Sequence, residues 1–107
     1  MTNAKEEFLD CVGKHKIAWA IIQCFKLEAF PLNRVVLKPG FSEEEFYDFI
    51  KHLDFEYWSG HGTQHLFGYI VLADGTWMER WEYDGAEGWE HKSCPRFQEV
   101  FELAEIH

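Results

Sequence analysis

Proline and cysteine are scarce in this 107-residue chain, with three of each, and long apolar runs are missing. Cys11, Cys24 and Cys94 are odd in number and show no framework spacing, which favours a reducing compartment over a disulfide-stapled secreted fold. The longest apolar stretch, Ile17 to Ile22, is far too short to cross a bilayer. No charged segment leads into an apolar run as in a signal peptide. We therefore expect one cytoplasmic domain over residues 1–107.

Basic residues are also few, with 10 Lys and Arg against 19 Asp and Glu and a formal net charge of -9. Nucleic acid and anionic membranes are therefore not expected as direct partners, because contacts to phosphate need Lys and Arg. An acidic surface favours solubility and steers the chain towards a partner protein with a basic surface.

Aromatic residues are abundant instead, with ten Phe, five Trp and four Tyr, enough to fill a core without staples. The best-specified element is the segment FSEEEFYDFIKHL. Ser42 and Glu45 have the spacing of a capping box, and Phe41 and Phe46 that of a hydrophobic staple. The apolar residues recur with helical periodicity, which predicts a helix over residues 43–53.

The other elements follow from shorter signals. Asn3 and Gly13 are suited to begin and end a short N-terminal helix. The apolar run 16–25 predicts a central strand, residues 34–38 a second strand, and the periodic apolar residues of 96–105 a C-terminal helix.

Two hairpin signals organise the C-terminal half. The Asp-Gly pairs at 74–75 and 84–85, flanked by strand-forming residues, predict a three-stranded meander with two-residue turns. Two-residue turns fix the register, so Arg80 is expected opposite both Tyr69 and Trp89. Together these elements predict an α+β fold: a single antiparallel sheet of about five strands with a C-terminal meander, packed by one central helix plus short N- and C-terminal helices.

That register divides the meander into two faces. The face with more aliphatic residues is expected in the core, namely Ile70, Leu72, Trp77 and Trp81. Tyr69, Arg80 and Trp89 then form an exposed ladder of the kind found at binding interfaces. The alternative is that Arg80 merely covers an aromatic row and pairs with a neighbouring glutamate. Trp81 is expected opposite Gly88, which leaves room for its ring.

Catalytic motifs are lacking: there is no G-x-S-x-G, no Walker loop and no dinucleotide fingerprint. We therefore expect no enzymatic activity, no cofactor and no metal ion. The alternative is a small metal-binding protein or enzyme, because carboxylates, an imidazole and a thiol recur near the end of the meander. Its residues would be Glu79, Glu90, His91 and Cys94.

The run FGYIVLADGTWMERWEYDGAEGWEHKSCP combines FG-x-I, DGTW-x-x-R and EYDG-x-E-x-W-E segments with a Cys-Pro pair. This pattern resembles a group of small proteins of phages and bacterial mobile elements, whose N-terminal K-E-E-F-L run also matches Lys5 to Leu9. Trp81 departs from the small residue expected there, and Gly88 from an aromatic one. The matching residues are Phe67, Gly68, Ile70, Asp74, Gly75, Thr76, Trp77, Arg80, Glu82, Tyr83, Asp84, Gly85, Glu87, Trp89, Glu90, Cys94 and Pro95.

The resemblance implies a phage-type origin and a bacterial host cell, but it brings no activity and no catalytic residues. We predict a non-enzymatic acidic binding protein that inhibits a host defence or nucleic-acid-binding protein, as a mimic of nucleic-acid phosphates. The alternative is a small homodimeric structural module that buries Tyr69, Arg80 and Trp89 between two copies. The carboxylates expected to carry mimicry are Glu43, Glu44, Asp48, Asp54, Glu56, Glu82 and Glu87.

Overall fold

The computed structural model describes residues 1–24, 34–58 and 64–95. Within these residues two helices combine with two antiparallel sheets, a five-stranded one in the order β3-β2-β5-β6-β7 and a two-stranded one formed by β1 and β4. The elements are β1 (Thr2–Asn3), α1 (Ala4–Val12), β2 (Ile17–Cys24), β3 (Arg34–Leu37), α2 (Glu43–His52), β4 (Glu56–Tyr57), β5 (Leu66–Leu72), β6 (Trp77–Tyr83) and β7 (Ala86–Lys92).

The predicted α+β class and the five-stranded antiparallel sheet are confirmed. The expectation of a single sheet is wrong. The short strand β1 before α1 pairs with the short strand β4 after α2 and forms a second sheet. The predicted C-terminal helix over 96–105 lies outside the described residues. Neither described helix is long and apolar enough to cross a membrane.

Both helices begin as their sequences predict. The Ser42 hydroxyl accepts from the Glu45 backbone, the Glu45 carboxylate accepts from the Ser42 backbone, and the Phe41 and Phe46 rings stack 5.9 Å apart. At α1 the Asn3 side chain accepts from the backbone of the first turn, and the chain leaves the helix at Gly13 with a positive φ.

The core lies between the helices and one face of the large sheet, the inner face. Phe8 of α1 meets Phe49 of α2 edge to face, with ring centroids 5.4 Å apart. These rings pack with the inner-face side chains into one apolar cluster, which anchors both helices by burying aromatic area. The buried residues that the sheet contributes to this cluster are Ala20, Ile22, Cys24, Val35, Leu37, Leu66, Ile70, Leu72 and Met78.

The second hairpin of the meander has the predicted register. Asp84 and Gly85 both have positive φ, as a two-residue turn of this kind requires. Arg80 lies opposite Trp89 and Trp81 opposite Gly88.

The first hairpin is shifted by one residue from the prediction. Its loop has three residues, 73–75, closed by a hydrogen bond from the Leu72 amide to the Thr76 carbonyl. The Asp74 carboxylate accepts from both the backbone and the hydroxyl of Thr76, which stabilises this longer loop. Tyr69 therefore lies opposite Glu79 instead of Arg80.

A shift of one residue moves every side chain of one strand to the opposite face relative to its neighbour. Arg80 and Trp89 consequently share the inner face with Ile70, and Arg80 is buried. The expected exposed ladder of Tyr69, Arg80 and Trp89 is therefore wrong. Trp81 is also misplaced by the prediction, since it is 38% exposed instead of buried in the core.

The opposite face of the large sheet, the outer face, is partly open. The cross-strand pairs place Val36, Ile21, Tyr69 and Glu79 in one row across four strands, and Trp19 and Val71 in the next. Tyr69 is 47% exposed, and none of the described helices packs on this face.

Gly68 brings β5 unusually close to β2. Its φ is +146°, and a Cβ at this position would lie 2.0 Å from the carbonyl oxygen of Ile21. Only glycine fits such an approach without moving the neighbouring backbone.

Gly68→Ala is expected to lower the free energy of unfolding by about 3 kcal/mol, since strain and a backbone clash combine. Gly40→Ala is the matched control: Gly40 also has a positive φ, but a Cβ there meets nothing within 4 Å. Gly40→Ala should lower the free energy of unfolding by only about 1 kcal/mol. Urea unfolding of both variants measures the difference, and equal losses would contradict the close approach.

Candidate functional site

A buried arginine joins α1, β4, β6 and β7. The Arg80 side chain is only 1% exposed. Its Nη1 donates to Glu7 Oε1 at 2.9 Å, and its Nη2 donates to Glu87 Oε1 at 2.7 Å and to the hydroxyl of Tyr57. Tyr57 in turn donates to the Glu7 carboxylate. We call Glu7, Tyr57, Arg80 and Glu87 the arginine cluster.

Glu87 is the fully buried carboxylate of this cluster, with a side chain that is 0% exposed. Besides Arg80, it accepts from the backbone amides of His65 at 2.7 Å and Leu66 at 3.0 Å. A carboxylate removed from water needs such charged and backbone donors, because an unpaired buried charge is costly. Glu87 therefore fixes the start of β5 against β7.

Burial and charge shift the pKa values within the cluster. Burial raises the pKa of Tyr57, and its hydrogen bond to Glu7 raises it further, so the phenol stays protonated. Burial alone would lower the pKa of Arg80. The attraction of Glu7 and the hydrogen bonds to Glu87 and Tyr57 outweigh burial and raise the pKa. The guanidinium thus remains charged and the tyrosine neutral.

Two aromatic rings enclose the guanidinium. Its Cζ lies 5.6 Å from the centroid of Tyr57 and 5.1 Å from that of Trp89, within the range of cation–π attraction. Stacking of Arg80 on Trp89 was expected from the register, but the second ring is that of Tyr57 instead of Tyr69. Arg80 therefore both covers aromatic rings and holds a glutamate neighbour.

An open groove of about 700 Å³ runs beside the arginine cluster, with α1 on one side and β6 and β7 on the other. Among its described lining residues there is no Lys, Arg or His. We call it the acidic tryptophan groove, because three acidic residues of α1 and two tryptophans line it. Its lining residues are Met1, Thr2, Asn3, Glu6, Glu7, Asp10, Cys11, Trp81, Glu87, Gly88 and Trp89.

The position of Trp81 in the groove depends on Gly88. A Cβ at Gly88 would lie 3.0 Å from Cζ2 of the Trp81 ring, so the indole lies directly over this glycine. The large residue on β6 and the small one on β7 are thus complementary, as their pairing predicts. The ring lies over Gly88 at the edge strand β7, and Trp81 and Gly88 both line the groove.

The carboxylates of the groove differ in their charge balance. Glu7 forms a salt bridge with Arg80. Glu6 and Asp10 form no salt bridge within the described parts of the chain. The groove therefore places acidic side chains beside Trp81 and Trp89, an arrangement that suits a cation with an apolar body.

The acidic residues expected at the surface divide into two groups. Glu43, Glu44 and Asp48 lie exposed on α2, and Glu82 is exposed on β6. Glu87, expected beside Glu82 at the surface, is instead buried in the arginine cluster because it compensates Arg80.

Two further expected carboxylates, Asp54 and Glu56, are exposed. Asp54 pairs with Lys5 and accepts from Asn3, and these contacts hold its pKa below the usual range, with the Asn3 hydrogen bond as the larger cause. Glu56 is exposed on β4.

The sequence did not reveal Glu7 and Tyr57 as members of the cluster. A weak signal exists for Glu7, which lies at helical spacing between the buried Ala4 and the half-buried Cys11, on the apolar stripe of α1. Tyr57 lies on a two-residue strand and carries no such pattern.

The residues of the alternative metal or enzyme site are not brought together. Glu79 and Glu90 pair across the outer face, where Lys92 binds Glu79 at 3.3 Å. His91 points to the other face, with Nε2 2.8 Å from the Thr76 hydroxyl, and Cys94 is exposed beyond β7. Within the described residues no group of three or more His, Cys, Asp and Glu could hold a metal ion.

Arg80→Met is expected to lower the free energy of unfolding by about 3–5 kcal/mol, because Glu87 would remain buried without its countercharge. The double variant Arg80→Met/Glu87→Gln should regain at least about 1.5 kcal/mol, since the uncharged amide no longer needs that partner. Chemical unfolding monitored by tryptophan fluorescence measures the free energy of unfolding of the single and the double variant.

Lys92→Met is the control for Arg80→Met. It removes the exposed partner of Glu79, and exposed ion pairs contribute less than about 1 kcal/mol. A loss for Arg80→Met as small as that for Lys92→Met would contradict the role of the buried cluster.

The cysteines are expected to differ in reactivity. Burial, and next Glu7, raise the pKa of the Cys11 thiol to about 12, and burial raises that of Cys24 to about 11. At pH 8 both are therefore almost fully protonated, and thiols react as thiolates. Iodoacetamide should modify the exposed Cys94 first.

Mass spectrometry of timed aliquots measures this order, and unfolding in urea provides the control in which all three should react. Fast modification of Cys11 in the folded protein would contradict its protonated, half-buried state.

Comparison with protein-family models, with curated proteins and with solved structures finds no match to this chain. Its function is therefore inferred from the groove, the arginine cluster and their chemistry.

Proposed function

We propose that this chain is a non-enzymatic binding protein that takes a cationic side chain of a basic partner protein into the acidic tryptophan groove. The observation that carries the proposal is the pairing of Trp81 and Trp89 with the unneutralised carboxylates of Glu6 and Asp10 in one open groove. Indole faces attract cations, and the carboxylates add direct ion pairs.

The arginine cluster provides an internal precedent for this chemistry. Arg80 is held between the rings of Tyr57 and Trp89 while its donors reach two carboxylates. An arginine of the partner, placed in the neighbouring groove, would meet the same two kinds of group. Arginine suits such a place better than lysine, because its planar guanidinium stacks on rings and donates in a fork.

The role we propose for this binding is inhibition of a bacterial host protein, such as a defence or nucleic-acid-binding protein. Support comes from the resemblance to phage and mobile-element proteins and from the net charge of -9. The exposed carboxylates Glu43, Glu44 and Asp48 on α2 and Glu82 on β6 add a negative field. That field would speed association with a basic surface and compete there with nucleic-acid phosphates.

The test is a fluorescence anisotropy titration of a labelled peptide of alternating arginine and glycine. We expect binding to the wild type, with about tenfold weaker affinity for Glu6→Gln/Asp10→Asn, which removes about 1.4 kcal/mol of attraction. Trp81→Ala should weaken binding similarly through the lost cation–π contact.

The matched control is Glu43→Gln/Glu44→Gln, which changes the net charge equally but lies on α2, outside the groove. Its affinity should change less than about twofold, because these charges act only at long range. Equal weakening by the two double variants would show attraction by overall charge and reject the groove. No binding of the peptide at low salt would reject the proposed function itself.

A further inference from the structure

Strand β7 forms one edge of the large sheet. It pairs with β6 on one side, and within residues 1–24, 34–58 and 64–95 no strand pairs with its other side. It spans seven residues, whereas β3 at the opposite edge spans four. All seven pair with β6 in continuous register, and no proline or bulge interrupts them. An edge of this kind is a template for a further strand.

The two-residue turn at 84–85 determines which backbone groups of β7 face this edge. Residues that flank such a turn exchange both of their hydrogen bonds, and bonded and non-bonded pairs then alternate along the hairpin. Positions 86, 88, 90 and 92 therefore bond to β6. The N–H and C=O groups of Glu87, Trp89 and His91 point away from β6, and they enter no other backbone hydrogen bond in the described parts of the chain.

The acidic tryptophan groove lies along this free edge. Successive side chains of a strand point to opposite faces, so Glu87 and Trp89 lie on the inner face, whereas Gly88, beneath the Trp81 ring, lies on the outer face. All four residues line the one groove, and α1 lines it as well. A groove that is lined from both faces of an edge strand includes the edge between them.

We propose that the basic partner enters this groove as an extended, arginine-containing segment that pairs antiparallel with β7 and adds a sixth strand to the large sheet. The inference rests on the proposed function, because the same segment supplies the cation for the groove. Main-chain hydrogen bonds to β7 provide affinity and alternate side chains provide specificity, as in other cases of strand addition. Antiparallel pairing continues the pattern of the whole sheet and is the more stable of the two kinds.

The charge of the groove identifies this occupant. An added strand lies about 4.8 Å from β7, and its side chains alternate between the two faces. Those opposite Trp89 point to the inner side, where Glu6 and Asp10 of α1 line the groove. Neither carboxylate has a salt-bridge partner among the described residues. Arginine at every second position therefore brings each guanidinium to the acidic side.

The experiment compares three labelled peptides of alternating arginine and glycine by fluorescence anisotropy. One is unmodified, one carries backbone N-methyl groups on its arginines, and one carries the same number on its glycines. In antiparallel pairing the residues opposite Trp89 and His91 direct their N–H groups at β7. Methylated arginines should therefore bind at least about tenfold more weakly, because these donors are lost. Methylated glycines should bind within about twofold of the unmodified peptide.

The two methylated peptides are matched controls for each other, since they share charge and composition. Equal affinity of all three peptides would overturn the added strand and leave the groove as a site for a cationic side chain. A loss confined to the methylated glycines would contradict the antiparallel pairing. Failure of the unmodified peptide to bind would reject the proposed function together with this inference.

His91→Pro tests the same contact from the side of the protein. Proline removes the N–H that faces the free edge and keeps the ladder with β6, a place where strands tolerate it. The unmodified peptide should bind His91→Pro about fivefold more weakly, whereas the control His91→Ala, which keeps the N–H, should match the wild type. Equal affinity of two folded variants, verified by circular dichroism, would overturn the proposal. The methylated peptides use the unaltered protein and decide the matter if His91→Pro fails to fold.

Discussion

Burial of the Arg80 guanidinium is the constraint on which the rest of the structure depends. A cation with a side chain that is 1% exposed must find carboxylates nearby, and the chain supplies Glu87 from the neighbouring strand and Glu7 from the N-terminal helix. Because Tyr57 completes the cluster, four segments that are distant in sequence are held at one place. The apolar core anchors both helices, but the directional contacts of Arg80 fix how α1 sits on the sheet.

The acidic tryptophan groove follows from that arrangement. Glu7 is drawn inward to Arg80, which turns Glu6 and Asp10, on either side along α1, towards the open space beside β7. Trp81 reaches the same space because Gly88 leaves room beneath its ring. Within the cluster one guanidinium meets two carboxylates, whereas Glu6 and Asp10 of the neighbouring groove have no salt-bridge partner among the described residues. A cationic partner residue would supply the missing countercharge.

The sequence predicted those parts that local chemistry determines. The capping box of α2 and the two-residue turn at Asp84 each depend on residues close together in the chain. The first hairpin was predicted wrongly because Asp74 and Gly75 suit a three-residue loop as well as a two-residue one. The extra loop residue shifts the register by one, so the side chains of β5 lie on the opposite faces relative to those of β6. The arginine cluster was not predicted, since Arg80 and Glu7 are 73 residues apart and only the tertiary fold joins them.

Amide hydrogen exchange of the Arg80→Met variant, compared with the wild type, tests most directly whether this arginine fixes α1 to the sheet. If it does, the amides of α1 should exchange at least about tenfold faster relative to those of β2 and β5, because α1 opens locally while the sheet keeps its ladder. Unchanged protection in α1, or equal losses in α1 and the sheet, would contradict the account.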